Sequence, residues 1–252
     1  RNIVTNDKIG GLILMQDDAA REINLVNEFQ QKSKVPLMIG MDAEWGIYQR
    51  IATAHKFPWA MTLGAIQDKN LVYQMAAKIA EDCHRMGINW DFAPVVDVNT
   101  NPNNPIIGNR SFGSEVNNVI SSALSYSNGL QDHNILAAIK HFPGHGDTST
   151  DSHLDLPVVS HTTERLDAVE LAPFKALMNK GIGGVMVAHL YVPSLESGKG
   201  IPASVSKNII TGLLKEKLGY KGLIITDALN MAAVANKYQP GELDAMAFKA
   251  GN

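Results

Sequence analysis

The chain has 252 residues, 45% of them hydrophobic, and a formal net charge of −3 from 22 basic and 25 acidic residues. This composition predicts one globular domain over residues 1–252 with a sizeable core. The sequence has no basic stripe, which argues against nucleic acid and anionic membranes as partners, and no apolar run long enough to span a bilayer.

Apolar runs and amphipathic stretches alternate along the chain. Strands are predicted over residues 11–15, 36–41, 88–93, 136–141, 184–189 and 222–226. Helices are predicted over residues 18–32, 68–87, 116–133, 170–180 and 206–219. Asp68 and Ser206 are placed to cap two of these helices. Because the apolar runs lack polar alternation, they are typical of parallel strands covered by helices, and the sequence predicts a parallel α/β fold.

Polar side chains stand at or just after the carboxyl ends of the predicted strands. They are Asp42, Glu44, Lys140, His141, His189 and Asp227. In a (β/α)8 barrel these ends converge on one mouth that carries the active site. Because six strands are counted and eight are needed, we predict a TIM-type barrel whose first and last strands lie outside this sequence. The segment would then be an incomplete catalytic domain, active only within a longer chain that has room for a fused domain.

The densest polar segment covers residues 140–153, directly after the fourth predicted strand. It begins with Lys140 and His141 and continues into a loop rich in Gly, Ser and Thr. Asp151 and His153 are two residues apart, so in an extended stretch both side chains can point to one side. A carboxylate beside an imidazole fixes its tautomer, which suits a group that gives and takes a proton near neutral pH.

This segment resembles the signature of the glycoside hydrolase family 3 β-N-acetylglucosaminidases. The resemblance implies that His153 is the acid/base group and Asp151 its orienting partner. It also implies that Lys140 and His141 hydrogen-bond sugar hydroxyls, and that the enzyme needs no cofactor. The implied substrate is a small carbohydrate or muropeptide with a terminal β-linked N-acetylglucosamine, in a bacterial cytoplasm or cell envelope.

Three further segments, residues 41–46, 108–113 and 222–231, resemble the same family and occur in the same order. They imply that Asp42 binds sugar hydroxyls, that Arg50 shapes the site and that Arg110 contacts substrate. They also imply that Asp227 is the nucleophile of a retaining double displacement. Trp45 departs from the family's pattern where a glycine is usual, which adds a large aromatic surface near the pocket.

Other functions are weighed against this one. Family 3 β-glucosidases and xylosidases resemble the same barrel but lack the Asp-Ser-His loop, and a non-catalytic sugar-binding barrel would have lost Asp227 or His153. Four histidines, His141, His145, His153 and His161, suggest a metal, but Lys140 beside them opposes a cation, and no catalytic metal is expected. A histidine acid/base repels anions less than a glutamate would, so phosphate is a candidate acceptor in place of water.

Some polar and aromatic residues have structural interpretations. Glu44 is expected to bridge loops by a salt bridge, and His145 to shape its loop by hydrogen bonds. His189 either lines the pocket or satisfies a core hydrogen bond. Trp59 is expected to pack, whereas Trp45 either stacks on a sugar or fills its loop.

Overall fold

The computed structural model describes residues 2–149, 156–239 and 241–252, and its centre is one sheet of six parallel strands. The strands are β1 Gly11–Ile13, β2 Met38–Met41, β3 Trp90–Asp91, β4 Leu136–Phe142, β5 Gly184–Val187 and β6 Leu223–Thr226. Each one falls within or overlaps a predicted run, so the six predicted strands are confirmed. Except for β4, the observed strands are shorter than the predicted runs by one to four residues, at one or both ends.

Eight α-helices connect or follow the strands. They are α1 Ala19–Lys32, α2 Ala60–Gly64, α3 Lys69–Arg85, α4 Val116–Gln131, α5 Thr163–Ala168, α6 Ala172–Met178, α7 Ala232–Ala235 and α8 Glu242–Ala250 within the described ranges. Asp68 caps α3, accepting a hydrogen bond from the Asn70 amide at 3.0 Å. The helix predicted after Ser206 forms as a π-helix over Asn208–Lys217. Ser206 Oγ still accepts from the Ile209 amide at 3.1 Å, as a capping residue does.

The strands follow one another in space in the same order as in the sequence, from β1 to β6. Every neighbouring pair is parallel, which requires a crossover connection between the strands. The sheet curves into a half-barrel with the helices on its outer side, so the predicted TIM-type architecture is confirmed for these six strands. That further strands lie outside the sequence stays a prediction.

The outer face of the sheet and the surrounding helices enclose the main hydrophobic core. Ile79 of α3, Tyr126 of α4 and Phe174 of α6 are all buried there, together with Ile39 and Ile139 from the strands. These side chains occupy the sheet-facing side of amphipathic helices, which is the pattern the sequence predicted. Burial of such apolar surface is the main force that holds helices on a sheet.

The inner face of the sheet carries a second apolar cluster. Trp90, Phe92, Ala138 and Met186 form it, and all but Ala138 line part of a cavity of about 640 Å³ that extends between β1 and β6. Gly40 is required in this layer, because a Cβ added there would lie 2.4 Å from the Phe92 ring. No helix in the described residues is long and apolar enough to cross a membrane.

Candidate active site

A small polar cavity of about 220 Å³ lies at the carboxyl ends of the strands. Its lining residues are Asp42, Glu44, Gln49, Arg50, Ile106, Arg110, Lys140, His141, His145, Met186, Asp227 and Met231. The set contains all five substrate-binding residues predicted from the sequence and the predicted nucleophile. Asp151 and His153 lie outside the described residues. The cavity is smaller than the roughly 300 Å³ at which pockets for drug-sized ligands begin, so it suits one small polar unit.

Lys140 stands at the centre of this cavity wall. It is 2% exposed, and its Nζ lies 2.8 Å from Asp42 Oδ1 and 2.8 Å from Glu44 Oε1. Burial by itself lowers the pKa of Lys140, but the two carboxylates outweigh it and hold that pKa above its ordinary value. Asp42 also accepts a hydrogen bond from Arg50, whose Nη2 contacts Oδ2. One buried ammonium therefore ties the end of β4 to the loop after β2.

Glu44 forms the second half of the same network. Its carboxylate accepts from Arg110 Nη2 at 2.7 Å and Nε at 3.0 Å, a bidentate pair. Burial opposes ionisation of Glu44, but Arg110 and Lys140 hold its pKa far below the usual range. The predicted salt bridge between loops is confirmed, since Glu44 and Arg110 are 66 residues apart in sequence. The pair fixes the direction in which the Arg110 guanidinium points.

His141 is held in one tautomer by partners on both ring nitrogens. Its Nε2 accepts from Arg110 Nη2 at 3.2 Å, because a guanidinium can only donate. Nδ1 therefore carries the proton and donates to Asp97 Oδ2 at 2.7 Å. Asp97 is fully buried and also accepts from the His145 amide at 2.7 Å. Burial works to raise the pKa of Asp97, but His141 and these donors hold it below the usual range.

Asp227 follows β6 directly and is half-buried at the cavity. Its amide donates to Val187 O at 2.8 Å, which extends the β5–β6 pairing to the residue itself. Its Oδ1 accepts from the Ala228 amide at 2.7 Å, while Oδ2 has no hydrogen-bond partner among the described residues. Burial opposes ionisation, but the hydrogen bond from the Ala228 amide and the nearby Lys140 ammonium help to lower the pKa of Asp227 below its usual value. An ionised carboxylate with one uncommitted oxygen results.

His189 and His145 are hydrogen-bonded and buried. His189 Nε2 donates to Ala228 O at 3.0 Å, and Nδ1 accepts from Ser204 Oγ at 2.7 Å. Burial lowers the pKa of His189, in agreement with a neutral ring. The core hydrogen-bond interpretation of His189 is therefore confirmed, and it also holds the backbone beside Asp227. His145 bonds Thr148 Oγ1 through Nδ1 at 2.6 Å, and burial lowers its pKa to about 4.

The two tryptophans stack on each other. The ring centroids of Trp45 and Trp59 are 4.2 Å apart with an interplanar angle of 21°, and neither residue lines the 220 Å³ cavity. Of the two interpretations of Trp45, the structure favours filling of its own loop. Trp59 packs as predicted, although it is 37% exposed.

Two fully buried carboxylates, Asp97 and Asp91, were not predicted from the sequence to have a role. Asp97 lies in the apolar run 93–98, where an acidic side chain among Val residues could have signalled a buried polar role. Asp91 accepts from the Ala43 amide through Oδ1 at 2.9 Å, and its Oδ2 has no partner among the described residues. Burial raises the pKa of Asp91 to about 8, so it is mostly protonated at neutral pH.

The cavity does not have the donor set of a metal site. Two of its three acidic residues, Asp42 and Glu44, are already paired with Lys140, Arg50 and Arg110, and these three positive charges together oppose a further cation. Hydroxyl groups, which both donate and accept hydrogen bonds, match this lining of ammonium, guanidinium, imidazole and carboxylate. The arrangement can bind a polyhydroxylated ring and present it to the Asp227 carboxylate.

Known proteins resemble this chain in both sequence and fold. Beta-hexosaminidase A of Pseudoalteromonas piscicida is 36% identical over 99% of this chain and 46% of its own length. A beta-N-acetylglucosaminidase/beta-glucosidase of Cellulomonas fimi is 31% identical over 90% of the chain and 42% of its own length. The structure of a glycoside hydrolase family 3 beta-N-acetylglucosaminidase from Paenibacillus sp. str. FPU-7 superposes with a TM-score of 0.93 at 41% identity, covering 99% of this chain and 49% of that one.

This chain thus spans about half the length of these relatives. The model of the glycosyl hydrolase family 3 N terminal domain matches residues 1–252, which is the whole sequence. With the half-barrel fold and a polar cavity at its strand ends, this match shows that the chain belongs to glycosyl hydrolase family 3 as an N-terminal domain.

Proposed function

We propose that this chain is the catalytic domain of a retaining β-N-acetylglucosaminidase. The observation that carries the proposal is Asp227, whose carboxylate lies at the tip of β6 and faces the polar cavity. A nucleophile must be ionised at the working pH, and the lowered pKa of Asp227 satisfies that condition. The name of the Paenibacillus structure supports the N-acetylglucosamine preference, and the name of the Pseudoalteromonas relative supports a hexosaminidase.

In the proposed reaction, the uncommitted oxygen of Asp227 attacks the anomeric carbon. His153 gives its proton to the leaving oxygen while Asp151 orients the imidazole ring. Neutral His153 then takes a proton from water, and the hydroxide displaces Asp227 to return a β-configured sugar. Oδ1 stays anchored by the Ala228 amide, so the carboxylate keeps its direction through both displacements.

The proposed binding residues hold and orient the sugar before the bond is cleaved. Lys140, Arg50 and Arg110 each keep a positive group at the cavity wall, Asp42 adds acceptor oxygens, and His141 helps to hold Arg110 in place. Hydrogen bonds from such fixed groups to sugar hydroxyls orient the ring at little entropic cost, because ion pairs already immobilise the side chains. The natural substrate that we propose is a peptidoglycan fragment with a terminal β-linked N-acetylglucosamine, which rests on the resemblance to family members that act on muropeptides.

The test uses 4-nitrophenyl N-acetyl-β-glucosaminide and the matching β-glucoside on the full-length protein. We expect preference for the N-acetyl substrate, a loss of at least about 10³-fold in Asp227→Ala, and a loss of about 10²- to 10⁴-fold in His153→Ala. Asp132→Ala changes an exposed aspartate that does not line the cavity, so it is the matched control and should keep full activity. Azide should rescue Asp227→Ala and yield an α-glycosyl azide, because it attacks the face that the carboxylate vacates.

Proton NMR of the first product distinguishes the alternatives. A β-anomer supports the double displacement, and an initial α-anomer refutes it. Cleavage of the glucoside alone would place the chain with β-glucosidases, a class that the Cellulomonas fimi relative's name also includes. Binding of N-acetylglucosamine without turnover of either substrate would establish the sugar-binding barrel instead.

Phosphate is the second acceptor that the proposed acid/base group allows. A neutral imidazole carries no negative charge to repel an incoming anion, unlike a carboxylate base. We expect substrate incubated with phosphate to give some N-acetylglucosamine 1-phosphate, detected by mass spectrometry. Release of free sugar alone at high phosphate would refute this acceptor while leaving the hydrolase proposal intact.

A further inference from the structure

A group of three metal-ligating side chains lies outside the polar cavity. Asp147, His161 and Glu170 each place one ligand atom within 4.8 Å of the other two. Asp147 lies in the turn region after β4, His161 precedes α5, and Glu170 lies between α5 and α6. None of the three lines the 220 Å³ cavity, so the group is separate from the residues proposed to bind sugar.

The contacts within this group leave one carboxylate oxygen unsatisfied. His161 Nε2 lies 2.5 Å from Asp147 Oδ2, and Glu170 Oε1 accepts from Arg165 Nη2 at 3.1 Å. Glu170 is 3% exposed, and its Oε2 has no hydrogen-bond partner among the described residues. A buried carboxylate oxygen without a partner is costly, and a cation bound there would satisfy it.

Glu170 lies on the buried side of the group. Gly144 packs directly on it, since a Cβ added at Gly144 would lie 2.6 Å from Glu170 Cβ. The other two side chains are less confined, because His161 is 30% exposed and Asp147 is 25% exposed. The group therefore has a fixed, buried side and an open side through which an ion can enter.

We propose that Asp147, His161 and Glu170 bind a zinc ion. One imidazole nitrogen and two carboxylate oxygens are common zinc ligands, and three protein ligands leave the fourth tetrahedral position to water. Magnesium and calcium prefer oxygen ligands throughout, so the histidine disfavours them. Ligand atoms around zinc stand about 3.3 Å apart at bond lengths of roughly 2.0 Å. The ligand atoms of the three residues already lie within 4.8 Å of one another, and two of the side chains are only partly buried. The site does not depend on the proposed glycosidase activity.

The test is a titration of the metal-stripped, full-length protein with zinc chloride against a chromophoric competing chelator. We expect one zinc per chain and at least about tenfold weaker binding in His161→Gln and in Glu170→Gln, as ligand loss requires. Glu170→Gln keeps the side-chain volume and an acceptor for Arg165. His55→Gln, an exposed histidine elsewhere, is the matched control and should bind like the wild type.

A thermal unfolding series keeps the test valid if a variant is destabilised. Zinc should raise the melting temperature of the wild type and of His55→Gln but not of the two ligand variants, and magnesium should raise none. No binding by the wild type would overturn the proposal. Binding that survives Glu170→Gln but disappears in His153→Ala would also overturn it, since the ion would then sit in the catalytic segment.

Discussion

Asp97→Asn is the substitution that most directly tests how the cavity is built. The Asp97 carboxylate receives three N–H donors: the His145 amide, the His141 amide and His141 Nδ1, the last at 2.7 Å. Asparagine has the same shape but only one oxygen, so its NH2 group must face one of these donors. If it faces Nδ1–H, His141 can escape only by moving its proton to Nε2, which meets the donor Arg110 at 3.2 Å. In either arrangement, two N–H donors face each other with no acceptor between them.

The magnitude follows from the burial of these groups. Asp97 is fully buried, so solvent does not screen the loss. Losing one charge-assisted hydrogen bond costs about 1.5–3 kcal/mol, and weakening the others together with donor repulsion brings the total to about 3–5 kcal/mol. Domains of this kind are stable by roughly 5–15 kcal/mol, so the variant should still fold. With an m-value near 3 kcal/mol per M, the urea midpoint should fall by about 1–1.7 M.

Urea unfolding followed by far-UV circular dichroism measures this shift. Asp132→Asn is the matched control, because it makes the same chemical change at an exposed residue whose carboxylate accepts from Tyr73 Oη at 3.1 Å. We expect its midpoint to change by less than about 0.2 M, as for surface substitutions in general. An Asp97→Asn midpoint equal to that of the wild type would refute the donor argument.

Three further predictions concern buried residues. Burial lowers the pKa of His145 from 6.5 to about 4. The neutral ring therefore stabilises the fold fully above pH 6.5, and this contribution of about 3 kcal/mol is lost as the pH falls from 6.5 to about 4. His145→Asn should lack this loss in urea titrations at pH 7 and 4.5, and parallel profiles would contradict it. Burial raises the pKa of Asp91 from 3.8 to about 8, so its contribution is complete below about pH 4 and declines towards pH 8. Asp91→Asn should therefore gain stability relative to the wild type between pH 5 and 8, by as much as about 4 kcal/mol, and an unchanged difference would refute the shift. Gly40→Ala should cost about 1–3 kcal/mol by overpacking Phe92, whereas Gly10→Ala, with nothing within 4 Å of the added Cβ, should cost much less in the same thermal unfolding assay.

The strands and the larger helices were predictable because their signals are local. Each strand is a short apolar run, and the start of α3 is marked by a capping aspartate, Asp68, that accepts from its own first turn. Four helices, α2, α5, α7 and α8, were not predicted. The first three of these have only four to six residues, which is too few turns to reveal a periodicity. The buried apolar residues of Asn208–Lys217 recur at a spacing that also fits an α-helix. The sequence therefore predicted a helix there but did not reveal its π-helical hydrogen bonding.

The residues that line the polar cavity were largely predictable, but the hydrogen bonds between them were not. The positions of Asp42, Lys140 and Asp227 at strand ends place them at one mouth, whatever their partners. The role of Asp97 depends on donors 44 and 48 residues later in the chain, which only the folded loop after β4 brings within reach. The roles of Asp151 and His153 rest on the family resemblance, because both lie outside the described residues.

The matching order of the strands in sequence and in space has a consequence for synthesis. Each strand emerging from a ribosome finds its partner already present, so the sheet can grow by one strand and helix at a time without waiting for distant segments. Asp42, Glu44, Arg110 and Lys140 are all available once β4 has emerged. Asp227 arrives only with β6, almost 90 residues after Lys140. Cotranslational assembly would thus complete the ion-pair network of the cavity before it installs the proposed nucleophile.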